Sequence, residues 1–323
     1  MSAFWSHYPT IASDLERVSD IVRTSIDTNH SLIREALLDL TGRKGKLLRP
    51  GLVMLSARFK RNGRTAEVPD KIYRIAAAVE LLHTATLVHD DVLDESGSRR
   101  GGSTLNATYG SRTAVLLGDF LFSTCFRLVA DQASADNARI LAAGIGHICS
   151  GEILQAEDAD LSTPSIRRYK RRIAGKTALL FALSLHVGAR ENGLPSHRSY
   201  RLARIGHAVG MAFQIIDDIL DYRGREDDLG KPAGYDLRNA VYTLPLLRAV
   251  ERDGDELRSL VSQSDLPLDT VIRKVDELGG FADAEAEAAL YTERALRDAA
   301  KLPRSWARDT LIDVVQRLLH RSA

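Results

Sequence analysis

Apolar residues recur along this chain at intervals of three and four. Ile11, Leu15, Val18, Val22 and Ile26 form one stripe, continued by Ile33, Leu37 and Leu40. Ile72, Ile75, Val79 and Leu82 form another, and Leu311, Val314, Val315, Leu318 and Leu319 a third. Such spacing turns one side of an α-helix toward a core. Sustained period-two alternation between hairpin turns is missing. The nine prolines stand where helices can begin, end or be joined, and Ser162-Thr163-Pro164 reads as a cap followed by proline in the first turn. The pattern predicts roughly ten or more helices and essentially no sheet. Loops are placed near residues 41–46, 61–70, 95–108, 157–163, 190–197, 223–238 and 252–256. None is long or low in complexity enough for an inter-domain linker. One large all-α domain over residues 1–323 is therefore favoured over a split near residue 190.

Composition narrows the class. The 44 Lys and Arg against 43 Asp and Glu leave a formal charge of +1, which argues against a nucleic-acid surface with its basic excess. With 323 residues, 44% of them hydrophobic, the chain can bury a core without disulfide or metal staples. Its two cysteines, Cys125 and Cys149, suit a reducing cytoplasm. No run reaches the ~18 apolar residues of a transmembrane segment; the longest candidate, residues 177–189, holds His186. Asp14, Glu16 and Arg17 interrupt any signal-peptide stretch.

The chemistry lies in an internal echo. His89-Asp90-Asp91-Val92-Leu93-Asp94 and Ile216-Asp217-Asp218-Ile219-Leu220-Asp221 share Asp-Asp-x-x-Asp, each after a long apolar helical stretch. Residues i and i+4 lie one turn apart on one helix face, so Asp90 with Asp94, and Asp217 with Asp221, can close on one ion each. Three carboxylates in so short a segment repel one another unless cations neutralise them. Hard oxygen ligands with room for water suit Mg²⁺, which takes one or two carboxylates and completes its shell from substrate phosphates. A single cluster would read equally well as a solvated helix end; two at the ends of apolar helices favour metal. Basic residues follow at short intervals: Arg99-Arg100 after the first cluster, Lys231 after the second, with Lys46, Arg49 and Lys176 elsewhere. Arg and Lys give phosphate charge-assisted hydrogen bonds, so the set describes room for two phosphorylated ligands.

In this order the motifs resemble those of the trans-isoprenyl diphosphate synthase (polyprenyl synthetase) family over essentially the whole chain. They are Lys46-Leu47-Leu48-Arg49-Pro50, Glu80-Leu81-Leu82-His83 running into the first cluster, Arg99-Arg100-Gly101, Gly118-Asp119, Lys176-Thr177, Phe213-Gln214 running into the second cluster, and Leu229-Gly230-Lys231-Pro232. The resemblance implies the isoprenoid synthase fold, with helices around a deep central cavity, the two clusters facing each other near its mouth, and a homodimer. It implies an allylic diphosphate held through Mg²⁺ on Asp90, Asp94 and Asp217, a trio of ions recruited with the substrate, with Asp91, Asp218 and Asp221 tuning them. Arg99, Lys176 and Lys231 would contact its phosphates. Isopentenyl diphosphate would rest on Lys46, Arg49, His83 and Arg100. Thr177 and Gln214 would turn oxygens toward the allylic cation, although each has a helix-internal hydrogen bond as its plainer reading.

Two positions depart from the family. Lys44 stands where the first glycine of Gly-Gly-Lys is usual, and Ala240-Val241 replace a Gly-Lys pair, removing one phosphate contact for which Arg238 is the nearest substitute. In this family bulky aromatics four or five residues before the first aspartate stop growth at short products. Here those positions are Thr86 and Ala85, with Leu82 and Leu81 a turn below and then Ala76, Ala77 and Ala78. The resemblance therefore implies a product longer than geranylgeranyl, such as a quinone side-chain precursor, with Phe120, Phe122 or Phe126 as a deeper floor. Alternatives are a short-chain farnesyl or geranylgeranyl synthase, a regulatory subunit of a two-component synthase, and a terpene cyclase. Cyclases replace the second aspartate triplet and regulatory subunits lose aspartates, which this chain does not.

Overall fold

The computed structural model describes residues 4–43, 45–59, 67–99, 101–157, 165–223, 234–263 and 266–320. Helices account for nearly all regular structure among them, as the apolar periodicity predicts. The chain contacts group into two compact units that alternate along the sequence. One is drawn from residues 1–142, 183–203 and 302–311, the other from residues 143–182, 204–301 and 312–323.

In the first unit, α1 (Pro9–Ser25) starts with proline in its first turn, where a missing N–H costs nothing. It is followed by α2 (Ser31–Gly42), α3 (Leu48–Ser56) and the 24-residue α4 (Asp70–Leu93). Ile72, Ile75 and Leu81 on α4 have no exposed surface, each burial contributing about 1.5–3 kcal/mol. Gly51 admits the Trp5 indole: a Cβ there would lie 2.2 Å from Trp5 Cζ2. A two-strand ribbon, β1 (Ser98–Arg99) with antiparallel β2 (Gly102–Ser103), leads into α5 (Leu105–Tyr109) and α6 (Ser111–Gln132). The stretch 95–108, predicted as loop, is thus a hairpin and the start of a helix. Two-residue strands carry no alternation from which to read them. Thr104 fixes this segment, donating to Ser96 O at 2.6 Å and accepting from Ala107 N at 3.0 Å as the cap of α5.

Helix α6 packs chiefly on α4. Among the described residues it alone is long and apolar enough to cross a membrane, although Asp119 and Arg127 interrupt it. Next come α7 (Ala135–Glu157), α8 (Ile166–Ile173), a single π-helical turn (Ala174–Ala178), α9 (Leu179–Glu191) and α10 (Ser196–Arg223). The predicted cap at 162–164 lies outside the described residues; α8 is capped by Ser165, whose hydroxyl accepts from Arg168 N at 3.3 Å.

Then come α11 (Tyr235–Arg238), α12 (Leu244–Arg252), α13 (Gly254–Val261), α14 (Leu268–Glu277), α15 (Gly280–Ala300) and α16 (Trp306–Leu319). Helix α11 and the start of α13 fall where loops were predicted, one turn or two being too short to establish a period. The core of the second unit gathers Tyr169, Ile173, Met211, Ile215 and Tyr222 with Leu244, Val271 and Phe281. Gly206 and Gly210 let α10 approach closely, a Cβ at either lying 2.5 Å from the backbone of Phe181 or Ala178.

Candidate diphosphate and metal sites

In the first unit, the aspartate cluster ends α4. Asp94 is the C-cap, its N–H donating to Asp90 O at 2.8 Å, so Asp90 and Asp94 share a face one turn apart. Asp94 is exposed, Asp90 half-buried and Asp91 buried. Arg99 Nε donates to Asp91 Oδ1 at 2.5 Å. Burial pushes the Asp91 carboxyl above its ordinary range; the Arg99 charge opposes this, and Asp90 and Asp94 add to it. Arg99 sits on β1, and Arg100 lies outside the described residues. The chain leaves α4 through Glu95 at φ 48°, a left-handed conformation rare for this residue.

Arg49 and His83, 34 residues apart, meet at 2.9 Å between Nη1 and Nε2. Arginine can only donate, so Nε2 accepts and the neutral imidazole carries its proton on Nδ1. Lys46 is exposed on the preceding segment, whose conformation is fixed by Trp5 Nε1 donating to Lys46 O at 2.8 Å and by left-handed Leu47 at φ 48°. The residues implied for isopentenyl diphosphate are therefore in part assembled.

The chain-length positions divide. Ala85 and Leu82 are buried. Thr86 is half-buried, its hydroxyl donating to His83 O at 2.8 Å. Phe126 is 47% exposed and so is no interior floor within this chain, which corrects that expectation. A cavity of about 490 Å³ lies between α1, α2 and α4; Leu15, Val22, Leu40, Thr84, Asp91 and Arg99 line it, and the chain-length positions do not.

In the second unit, the cluster ends α10. Asp217 is half-buried, Asp218 and Asp221 buried. Thr177 Oγ1 donates to Gln214 Oε1 at 2.7 Å, Gln214 Nε2 to Asp218 Oδ1 at 2.8 Å, and Tyr169 Oη to Asp218 Oδ2 at 2.6 Å. This run links the predicted cation-facing residues to the aspartates. Burial pushes Asp218 up to about 7, aided by the Asp236 charge and opposed by the Tyr169 and Gln214 hydrogen bonds. The Tyr169 hydroxyl is also pushed up, by burial and by Asp218. Asp221 accepts from Asp236 N at 3.1 Å. Lys176 and Thr177 lie in the π turn, a distortion frequent at functional sites. Lys176 Nζ is 2.9 Å from Glu152 Oε2. Lys231 lies outside the described residues, and Arg238 is exposed on α11.

Sequence reasoning missed Tyr169 and Glu152. Tyr169 stands seven residues before Lys176, two turns along a face, a signal that was available; nothing marks Glu152.

No three His, Cys, Asp or Glu side chains among the described residues converge closely enough to enclose a metal. The donors nevertheless suit Mg²⁺, since the last turn of α4 brings the hard carboxylate oxygens of Asp90 and Asp94 to one face. That geometry supplies one or two ligands per ion and leaves the rest to phosphate and water.

The family model for polyprenyl synthetase matches residues 30–275. The chain belongs to the polyprenyl synthetase family. It is 36% identical over 310 residues to heptaprenyl diphosphate synthase component 2 of Geobacillus stearothermophilus, covering 95% of each chain. It is 36% identical over 318 residues to the all-trans-nonaprenyl-diphosphate synthase (geranyl-diphosphate specific) of Rhodobacter capsulatus, covering 96% of each. Among solved structures, the geranylgeranyl pyrophosphate synthase of Lactobacillus brevis superposes with a TM-score of 0.90 at 34% identity, covering 99% of both chains. The all-α architecture is that of these polyprenyl synthetases.

Proposed function

We propose that this polyprenyl synthetase condenses isopentenyl diphosphate head-to-tail onto an allylic diphosphate, with Mg²⁺, to make a trans-polyprenyl diphosphate longer than geranylgeranyl that can serve as a quinone side chain. The observation that carries the reading is the hydrogen-bonded run from Thr177 through Gln214 to Asp218. It ties an oxygen suited to facing a carbocation to a carboxylate of the second cluster. The long product is supported by small Ala85 and by relatives named for heptaprenyl and nonaprenyl products.

Asp90, Asp94 and Asp217 are assigned to the metal, with Asp91, Asp218 and Asp221 holding or tuning them. Mg²⁺ bound there would neutralise charge growing on the leaving diphosphate. Arg99, Lys176 and Lys231 take the allylic phosphates, so Lys176 exchanges Glu152 for a phosphate oxygen. Lys46, Arg49, His83 and Arg100 take the second substrate; the Arg49–His83 contact aligns two of its donors. As the allylic C–O bond breaks, Thr177 Oγ1, its proton committed to Gln214, turns lone pairs to the cation. The double bond of isopentenyl diphosphate then forms the new C–C bond, and the proton lost passes to the departed diphosphate. Apolar walls keep out water that would quench the cation.

We place the enzyme in the cytoplasm as a homodimer of one domain. In support, the family match runs through both compact units, Cys125 and Cys149 are unpaired, and α6 exposes Val115, Leu116 and Phe126. The relative named as component 2 of a heptaprenyl synthase favours a partner subunit as the second reading, and the Lactobacillus neighbour favours a geranylgeranyl product. Incubation of the purified chain with labelled isopentenyl diphosphate, farnesyl diphosphate and Mg²⁺, with product sizing, decides. Elongation that stops at geranylgeranyl would overturn the long-chain assignment; no elongation until a partner is added would favour the two-component reading.

A further inference from the structure

The Gly118-Asp119 pair stands among the motifs but holds no substrate or metal in the assignments above. Its place in the fold is against His89, the residue before Asp90. A Cβ on Gly118 would lie 2.2 Å from His89 Nε2 and 2.5 Å from Cδ2. The same ring is 3.2 Å from the Val115 carbonyl oxygen through Nε2 and 3.5 Å from an Asp119 carboxylate oxygen. It also packs on Phe122, with ring centroids 5.4 Å apart. Val115, Gly118, Asp119 and Phe122 fall at i, i+3, i+4 and i+7, one face of α6. A glycine inside a helix is destabilising relative to alanine. Gly118 has no positive φ to require it. The imidazole does require it.

The turn of α4 that this contact fastens needs fastening. Asp90 and the cap Asp94 crowd the C-terminal end of the helix beside Asp91, which Arg99 offsets only in part; negative charge there opposes the macrodipole, and the carboxylates repel one another. Unwinding would relieve both penalties and separate Asp90 from Asp94. We propose that His89, seated in the notch left by Gly118, is a positioning residue that keeps the last turn of α4 wound, so that Asp90 and Asp94 present one face to Mg²⁺ and the allylic diphosphate. This rests on the metal assignment of Asp90 and Asp94.

The test uses the full chain with Mn²⁺ and inorganic pyrophosphate as probes, bound metal being read by electron paramagnetic resonance. Thermal unfolding and prenyl transfer against Mg²⁺ concentration are measured alongside. His89→Ala weakens Mn²⁺ binding about tenfold, the low end of what loss of a group that orients metal ligands costs, and raises the Mg²⁺ midpoint with it, while kcat at saturating Mg²⁺ stays within about threefold of wild type. His89→Gln, whose amide reaches the Val115 carbonyl, restores most of the affinity. Gly118→Ala weakens binding too, by expelling the ring, but adds nothing in the His89→Ala background. Wild-type Mn²⁺ affinity in His89→Ala, or a His89→Gln variant no better than His89→Ala, overturns the proposal. Wild-type protein that binds Mn²⁺ and pyrophosphate but elongates no primer overturns the assigned reaction instead.

Discussion

Glu191, near the end of α9, is the side chain whose contribution can be worked most directly from the structure. Its Oε1 accepts from Ser134 N at 2.8 Å, Ser134 Oγ at 2.7 Å and Asn137 Nδ2 at 2.5 Å, and Oε2 is 3.0 Å from Lys71 Nζ. The side chain is 3% exposed. The carboxylate thereby fixes the start of α7, where the first N–H groups of a helix lack partners. Burial opposes ionisation, but the Asn137 and Ser134 hydrogen bonds and Lys71 outweigh it, lowering the group from 4.5 to about 2. A difference of that size is worth about 3 kcal/mol. Because the folded value is depressed, this stability is fully present above about pH 4.5 and is lost as pH falls toward 2. Glu191→Gln keeps the shape, removes the charge and turns an amide N–H toward donors. It should cost about 3 kcal/mol at pH 7, or about 4–5 °C in Tm for a chain of this length. The assay is thermal unfolding of both proteins from pH 3 to 7. The gap should narrow at acid pH, by about 1.4 kcal/mol per unit between the two pKa values. A gap under about 1 kcal/mol at pH 7, or one constant with pH, would refute the reasoning.

Asp90→Ala combined with Asp94→Ala should lower incorporation of labelled isopentenyl diphosphate by about 100-fold or more at saturating substrate; a variant that instead keeps turnover would remove these residues from the metal site. Thr177→Val deletes the donor to Gln214 and should reduce kcat by about tenfold with little change in KM, as expected for an interaction made with developing charge. Ala85→Phe forces a ring into a site with no exposed surface. It should shorten the product seen on chromatographic sizing and lower stability by about 1–3 kcal/mol.

Much of the fold could be read from the chain itself. The stripes beginning at Ile11, Ile72 and Leu311 became α1, α4 and α16, because a helix is closed by hydrogen bonds four residues apart and its buried face repeats at that spacing. The same local geometry put Asp90 and Asp94 on one face. It failed for short elements, as at Ser98–Arg99 and Tyr235–Arg238, where too few residues exist to show a period. There distant contacts decide: Arg99 is held by Asp91, and Ser103 O accepts from Arg43 at 2.8 Å.

The helical class, the two aspartate clusters and the family were legible in the chain alone, since each depends on residue type and short spacing. The partners were not: folding pairs Arg49 with His83, Thr177 with Gln214, Asp218 with Tyr169 and Lys176 with Glu152, and sets the His89 ring against Gly118. Those pairs lie 24 to 49 residues apart. No backbone periodicity reaches so far; helix packing brings them together, and burial makes their hydrogen bonds worth forming.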